Sequence, residues 1–232
     1  KRVGFGKVPM RPHSLPLVML GAALLWFGWF GFNAGSAIAS NGTAGLALLN
    51  TIGATTAAVL AWLLVEKLRD GHATSLGAAS GVVAGLVAIT PACAAVNASG
   101  ALIIGAVAGA LCALSVGLKF KLGYDDSLDV VAVHLVGGIV GTIMIGFVGV
   151  DVGLFNGGGT EQLVKQAIGA GAVLAYSFIA TLIIGKIVDL TIGFRITNDQ
   201  ELAGIDVAIH AERAYELTDN SQGSVLGFSK GA

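Results

Sequence analysis

The sequence is poor in charge, in proline and in cysteine. Only 12% of its 232 residues are charged, which is half of the roughly 25% found in soluble domains. That scarcity excludes an ordinary soluble enzyme, a nucleic-acid-binding protein and a disordered chain. Four prolines are too few for a low-complexity linker, and two cysteines in apolar stretches indicate no disulfide framework. Hydrophobic residues make up 55% of the chain and the mean hydropathy is +0.83, which indicates a polytopic membrane protein.

Long uncharged runs predict how this chain crosses a bilayer. A transmembrane helix needs roughly 20 apolar residues, whereas the strands of a membrane β-barrel are about 10 residues long and alternate in polarity. The longest run, 73–118, is long enough for two helices and contains Pro91 and Asn97, which favour a loop. We therefore expect an all-α protein with six transmembrane helices, at 15–38, 44–66, 74–92, 99–118, 128–149 and 163–192.

The basic residues predict the orientation of this domain. With six spans, segments 1–14, 67–73, 119–127 and the chain from about 186 lie on one side, and they hold twelve of the thirteen Lys and Arg residues. Positively charged loops stay in the cytoplasm. We therefore expect a cytoplasmic loop at 1–14, the six-helix transmembrane domain at 15–192 and a cytoplasmic tail at 193–232, with both termini of this chain cytoplasmic.

Glycine is abundant, with 35 residues, and it recurs at spacings of four. Small residues at this spacing let the backbones of membrane helices approach closely. The alternative is glycine that faces lipid without any packing role. We expect close helix packing at four sets of positions: Gly31/Gly35, Gly77/Gly81/Gly85, Gly105/Gly109 and Gly137/Gly141.

His134 is the most informative single residue, because it lies about a third of the way into the fifth predicted span. An ionisable group at that depth faces the protein interior or water, so we expect a pore-lining imidazole that binds or passes a proton or small solute. The alternative is a structural histidine hydrogen-bonded to a backbone carbonyl.

An acidic cluster precedes His134. Its residues Asp125, Asp126 and Ser127 are candidates to cap the helix, while Asp129, five residues before His134, is a candidate to orient the site.

The first span carries an aromatic stripe. Trp29 and Phe32 are three residues apart, with Ser36 one turn beyond them. Aromatic faces attract cations and a hydroxyl accepts hydrogen bonds, so the stripe is a candidate vestibule; the alternative is an interfacial aromatic belt. Thr90, before Pro91, is a weaker candidate because Thr-Pro pairs often do no more than end a helix.

The other histidines lack partners at metal-binding spacing, and the sequence has no P-loop. We therefore expect no metal site and no cofactor.

Several longer motifs occur in a fixed order along the chain. They are GWFGFNAGS at 28–36, GLVAITPAC at 85–93, DDSLDV at 125–130 followed by His134 and GGIVG at 137–141, and a tail that runs from Asp189-Leu190-Thr191 through Gly193-Phe194-Arg195 and Gly204-Ile205-Asp206 to His210, Glu212 and Ala214-Tyr215. On these motifs the chain resembles the ammonium transporter (Amt/Mep/Rh) family over nearly its whole length.

The resemblance implies a specific architecture. Members have eleven transmembrane helices and form trimers with one pore per subunit, and two histidines line an apolar channel that passes ammonia after the cation is recruited. The chain would correspond to helices six to eleven, which are the second inverted repeat plus the last helix. By the same resemblance we expect a C-terminal portion of a longer protein, a homotrimer in a bacterial plasma membrane, and coupling of the tail to a P-II-type signalling protein. Leu135 and Ala211 depart from the usual glycines.

The resemblance also implies roles for individual residues along a substrate pathway. His134 is similar to the second pore histidine, Asp129 to the acidic residue near it, and Ser36 to the recruitment-site hydroxyl. The remaining positions match the outer face or the pore surroundings: Trp29, Phe32, Asn33 and Thr90.

The function expected is therefore an ammonium or ammonia channel or transporter, not an enzyme, with the net species left open between NH₃ and NH₄⁺. One alternative is a proton-coupled transporter of another small solute that uses His134 and Asp129. The other is an ammonium sensor, for which a long signalling domain is expected; only about 40 residues follow Gly193 and they carry no kinase or DNA-binding pattern.

Overall fold

The computed structural model describes residues 1–213 and residue 215. Within that part every regular element is helical, which confirms the all-α architecture. Residues 214 and 216–232, which belong to the predicted tail at 193–232, lie outside the described part. The chain divides into two units, one formed by Lys1 and Phe5–Ile183 and the other by Arg2–Gly4 and the chain from Ile184 onward.

Helices occupy all the segments in which the sequence predicts spans. Their bounds are α1 Leu15–Asn33 with a 3₁₀ turn at Gly35–Ala37, α2 Gly42–Asp70, α3 Ser75–Ile89, α4 Ala98–Ser115, α5 Leu118–Leu122, a π-helical turn at Val131–Val136 followed by α6 Gly137–Val148, a 3₁₀ turn at Leu154–Asn156, α7 Glu161–Thr191, α8 Asn198–Ala203 and a π-helical turn at Asp206–His210. Five of these stretches in the described chain are long and apolar enough to cross a membrane, and α3, with 15 residues, is shorter.

Local sequence explains where the helices begin and end. Ser14, Asn41, Thr74 and Asn97 each precede a helix, and each side chain accepts a hydrogen bond from the backbone N–H three residues later. Such caps satisfy amide groups that the first helical turn leaves unpaired. The predicted break inside 73–118 is confirmed, because α3 ends just before Thr90-Pro91 and α4 starts directly after Asn97.

The centre of the first unit is a glycine-mediated contact of α2 with α3 and α4. A Cβ atom at Gly105 or Gly109 of α4 would overlap the carbonyl oxygens of Ala54 and Ala58 in α2. Likewise, a Cβ atom at Gly85 of α3 would lie 2.6 Å from the Cα atom of Thr55 in α2. The backbones are therefore in direct contact, and the packing prediction is confirmed for α3 and α4.

The same packing extends to α6 but not to α1. A Cβ atom at Gly141 of α6 would overlap the carbonyl oxygen of Ala88 in α3, and one at Gly137 would meet the Cys112 sulfur at 3.4 Å. At Gly31 and Gly35, by contrast, no described atom lies within 4 Å of an added Cβ atom. Within the described chain this pair makes no close helix contact, and close packing at Gly31/Gly35 stays a prediction for the whole protein.

Buried polar side chains tie the irregular segment between α3 and α4 to the bundle. The Asn50 amide of α2 donates to the carbonyl oxygens of Cys93 at 2.8 Å and Val96 at 2.7 Å. Asn50, Ala92 and Val96 are all fully or almost fully buried. Carbonyl groups without water must find a donor inside the protein, and Asn50 provides it for two of them.

The second unit has its own short network. Thr197 and Gln200 form a reciprocal capping box at the start of α8. The Glu201 carboxylate accepts the backbone N–H of Val3 at 2.7 Å and pairs with the guanidinium of Arg195. One acidic side chain of α8 thus holds together two segments that are far apart in sequence.

Candidate substrate pathway

Two of the predicted pathway residues, far apart in sequence, meet where α1 and α3 end. The indole N–H of Trp29 donates to the Thr90 hydroxyl at 2.8 Å, and this hydroxyl donates in turn to the carbonyl oxygen of Leu86 at 2.7 Å. Trp29 lies in the fourth turn of α1, while Thr90 immediately follows the last residue of α3. The bond fixes the orientation of the indole ring relative to α3.

Phe32 and Ser36 lie beside this pair. The Phe32 ring is 5.4 Å from the Trp29 ring, centroid to centroid, and Phe32 is 68% exposed. The Ser36 hydroxyl donates to the carbonyl oxygen of Phe32, so its own oxygen keeps free lone pairs that can accept from a cationic N–H donor. An open groove of about 450 Å³ is lined by Gly28, Gly31, Phe32, Gly35 and Ser36.

Asn33, which was expected on the same pathway, packs α1 against α2. It is only 5% exposed. Its amide donates to the Thr51 hydroxyl at 3.0 Å, and this hydroxyl donates to the carbonyl oxygen of Ala47 at 2.6 Å. Asn33 thus fixes the end of α1 that carries the aromatic pair, and a direct role in the pathway stays a prediction.

His134 lies in the π-helical turn Val131–Val136 that leads into α6. Such wide turns are rare and occur frequently at functional sites. The residue is exposed, and the described part of the chain provides no hydrogen-bond partner for its ring. It borders an open groove of about 470 Å³ whose walls come from two elements: His134, Leu135, Gly138, Ile139 and Thr142 on one side, and Gln166, Gly169, Ala170, Val173, Leu174 and Ser177 of α7 on the other.

The acidic cluster that precedes His134 is ordered by specific contacts. The Asp126 carboxylate accepts the backbone N–H groups of Val130 at 2.9 Å and Val131 at 2.8 Å, which confirms the predicted cap. Asp129 has a left-handed backbone, with φ of 58°, and its carboxylate pairs with Lys119 at 2.6 Å. Burial, followed by the negative charges of Asp126 and Asp129, raises the pKa of the Tyr124 phenol.

Lys119 is the residue that sequence reasoning missed at this site. Counting basic residues assigned it only to a cytoplasmic loop, yet it is 8% exposed and its ammonium group also contacts the carbonyl oxygen of Asp126 at 3.1 Å. The pairing joins residues ten positions apart across α5 and the turn after it. No helical spacing rule relates residues at that separation, so the sequence carried no signal for the pair.

Apart from Asn33, the predicted site residues form two groups in the first unit. Trp29, Phe32, Ser36 and Thr90 belong to the aromatic group, and Asp129 and His134 to the acidic and imidazole group. Residues 1–213 and 215 contain no group of three or more His, Cys, Asp and Glu side chains placed to hold a metal ion.

Comparison with known proteins adds independent information. The sequence profile of the Ammonium Transporter Family matches residues 1–215. An ammonium transporter of Mycobacterium tuberculosis is 59% identical over an alignment of 238 residues. The alignment includes 97% of this chain and 50% of that protein. The ammonium transporter Amt1 of Archaeoglobus fulgidus is 42% identical over 219 residues, covering 93% of this chain and 56% of its own length. The chain thus spans about half the length of the curated relatives it matches.

Solved structures agree with this assignment. The crystal structure of Candida albicans Mep2 superposes with a TM-score of 0.77 at 38% identity, covering 84% of this chain and 46% of the other. A structure described as a sensor Amt protein gives a TM-score of 0.78 at 32% identity, covering 85% of this chain and 49% of the other. Together with the long apolar helices, these matches identify an integral membrane protein, and the chain belongs to the Ammonium Transporter Family.

Proposed function

We propose that this chain forms the C-terminal half of a transmembrane pathway for ammonium or ammonia. In this proposal residues 15–192 cross the membrane six times, as the second inverted repeat and the last helix of an eleven-helix protein. Residues 1–14 and the tail 193–232 lie in the cytoplasm. The proposal is supported by the family match over residues 1–215 and by the asymmetric distribution of Lys and Arg.

Recruitment of the cation is proposed at the aromatic group. The exposed face of Phe32 and the ring of Trp29 offer negative π-faces to a cation. The Ser36 oxygen retains acceptor capacity because its proton is engaged by the Phe32 carbonyl. The hydrogen bond from Trp29 to Thr90 holds the indole in place. This arrangement supports a site that exchanges part of the hydration shell of an ammonium ion for aromatic and hydroxyl contacts.

Conduction as ammonia is proposed past His134. The groove beside His134 is lined mainly by Gly, Ala, Val, Leu and Ile, and removing an ion from water into such surroundings costs far more than removing a neutral amine. The His134 imidazole has no hydrogen-bond partner in the described chain, so its nitrogen atoms can replace the hydrogen bonds to water that ammonia loses. The single observation that carries the proposal is this unpartnered imidazole beside an apolar groove.

The open faces of the described chain fit a structure completed by a further half. The groove beside His134 is open on one side, and the glycines of α1 face no described atom. The relatives are about twice as long as this chain, so we propose that their other half closes these faces in the whole protein. Assembly as a homotrimer in a bacterial plasma membrane and contact of the tail with a P-II-type protein belong to the same proposal.

The test uses a chimera in which this chain replaces the matching half of the Mycobacterium tuberculosis relative. Reconstituted in vesicles, the chimera is expected to admit methylammonium. His134→Ala is expected to change conductance or selectivity, whereas His72→Ala, which alters an exposed loop histidine between α2 and α3, leaves both unchanged.

The alternatives predict different outcomes. Ammonium binding without any methylammonium uptake by the intact chimera would favour a sensor, the role suggested by the description of one solved relative. Uptake of another solute driven by a proton gradient, without methylammonium uptake, would favour a proton-coupled transporter. Either result would overturn the proposed function.

A further inference from the structure

The side chain of Lys119 is buried, although it carries a positive charge. Among the described residues it is the only buried lysine. Removing an ammonium group from water is unfavourable unless charges and hydrogen bonds compensate it. Here the compensation is specific: the Nζ atom lies 2.6 Å from Oδ1 of Asp129 and 3.1 Å from the carbonyl oxygen of Asp126. It also lies 5.4 Å from the centre of the Phe120 ring.

Lys119 contacts the Asp126 carbonyl oxygen and the Asp129 carboxylate, and the other polar group of each of these two residues accepts amide groups at the start of the turn that contains His134. The Asp126 carboxylate accepts the amide groups of Val130 and Val131. The carbonyl oxygen of Asp129 accepts the amide of Val133, the residue directly before His134, at 2.8 Å. Lys119 thus lies one hydrogen bond away from both residues that define where the π-helical turn begins.

Asp129 needs this support because of its backbone. Its φ of 58° lies in the left-handed region, which is unfavourable for a residue with a Cβ atom and persists only where the surroundings fix it. Asp129 is also the last residue before the helical stretch that contains His134. A change in its φ or ψ would rotate the following turn, and the imidazole with it.

We propose that Lys119 is a positioning residue for the pore: by binding Asp126 and Asp129 together, it fixes the turn Val131–Val136 and so sets the place of the His134 ring in the groove. This inference rests on the proposed function, since it assumes that solute passes His134. It goes further in assigning a role to a residue that contacts neither the solute nor the imidazole.

A purely structural ion pair would behave differently from a positioning pair. Losing a structural pair lowers the amount of folded protein, and the remaining folded molecules conduct normally. Losing a positioning pair changes how each folded molecule discriminates among solutes. The useful readouts are therefore the KM for methylammonium and the selectivity over K⁺, each measured per folded protein.

The experiment compares Lys119→Gln with Lys121→Gln in the whole chimera in vesicles. Both changes remove one positive charge from α5, but Lys121 is exposed and outside the cluster. Lys119→Gln is expected to alter methylammonium selectivity over K⁺ on the order of tenfold, the effect of misplacing a functional group by a small distance. Lys121→Gln is expected to match the unmodified chimera.

A second comparison tests whether Lys119 acts through His134. In a His134→Ala background the selectivity change caused by Lys119→Gln is expected to disappear, because groups that act as a unit are not additive. If Lys119→Gln fails to reach the membrane, Lys119→Arg takes its place: it keeps the charge with a different donor geometry, and a smaller selectivity change that again disappears with His134→Ala is expected.

The outcomes separate the two proposals. No methylammonium uptake by the unmodified chimera overturns the proposed function, and this inference with it. Normal uptake that responds to His134→Ala, together with unchanged selectivity in Lys119→Gln or in its Arg replacement, overturns this inference alone. A selectivity change of equal size with and without His134 also overturns it, because Lys119 would then act elsewhere.

Discussion

The glycines of the α2–α4 bundle and those of α7 differ in what surrounds them. In α2, α3 and α4, glycines such as Gly85 and Gly105 leave no room for a methyl group against the neighbouring backbone. In α7, Gly169 and Gly171 have no described atom within 4 Å of an added Cβ atom, and no residue of α7 is buried. Within the described chain, glycines of the α2–α4 bundle thus lie directly against a neighbouring helix, whereas Gly169 and Gly171 of α7 do not.

The largest loss of stability is expected when a methyl group is added at a glycine contact between α2 and α4. Gly105→Ala places a methyl group on the carbonyl of Ala54, a backbone atom that cannot turn away as a flexible side chain would. We expect the free energy of unfolding in detergent to fall by about 3 kcal/mol. Gly45→Ala near the start of α2, where an added Cβ atom meets nothing within 4 Å, is the matched control, and equal stability of the two variants would contradict the bundle description.

A smaller loss of stability is expected when the segment between α3 and α4 loses its hydrogen bonds to α2. Asn50→Ala removes both donors to the carbonyl groups of Cys93 and Val96 and leaves these carbonyls buried without that partner. We expect a loss of about 2 kcal/mol, measured by chemical unfolding. Faster hydrogen exchange or proteolysis confined to 90–97 would show that this segment is the part released, whereas unchanged protection there would contradict the assignment.

The next effect in size concerns the contact between α1 and α3. Trp29→Phe and Thr90→Val each remove the 2.8 Å hydrogen bond between indole and hydroxyl. We expect each to cost about 1 kcal/mol and the double variant to cost less than the sum of the two. A double-mutant cycle of unfolding free energies measures this, and strict additivity would show that the bond contributes nothing.

The smallest effect has the opposite sign and concerns α7. Gly171→Ala restricts the unfolded chain and fits an open helical position, so we expect about 0.5 to 1 kcal/mol of added stability for this chain. The thermal midpoint in detergent is the measurement. A loss of stability that appears only in the full-length chimera would show that another part of the protein packs against Gly171.

Local features of this fold were predictable from its sequence. Each helix needs only its own apolar length and its own cap, and the break at Pro91 and Asn97 follows from the chemistry of those two residues. The capping role of Asp126 is also local, since it acts on amide groups four and five residues away. These features depend on the neighbouring sequence and not on what packs around it.

Features that depend on tertiary neighbours were not predictable. Gly31 and Gly105 occur in the same sequence pattern, yet only Gly105 meets another helix. Asn33 occurs beside the exposed Phe32, yet it is turned towards Thr51 of α2. In the sequence, Lys119 is one of several charged residues in a predicted loop, and only the folded turn brings it close to Asp129. In each case the deciding partner lies elsewhere in the chain.

The short length of α3 has a consequence for the lipid around it. Its 15 residues extend about 22 Å at the usual helical rise, whereas the hydrocarbon layer is roughly 30 Å thick. The proposed crossing at α3 therefore needs the irregular residues that follow it to complete the apolar thickness, which is tolerated only where protein shields their peptide groups. The carboxamide of Asn50 then acts in place of the interfacial water that a longer helix would have reached.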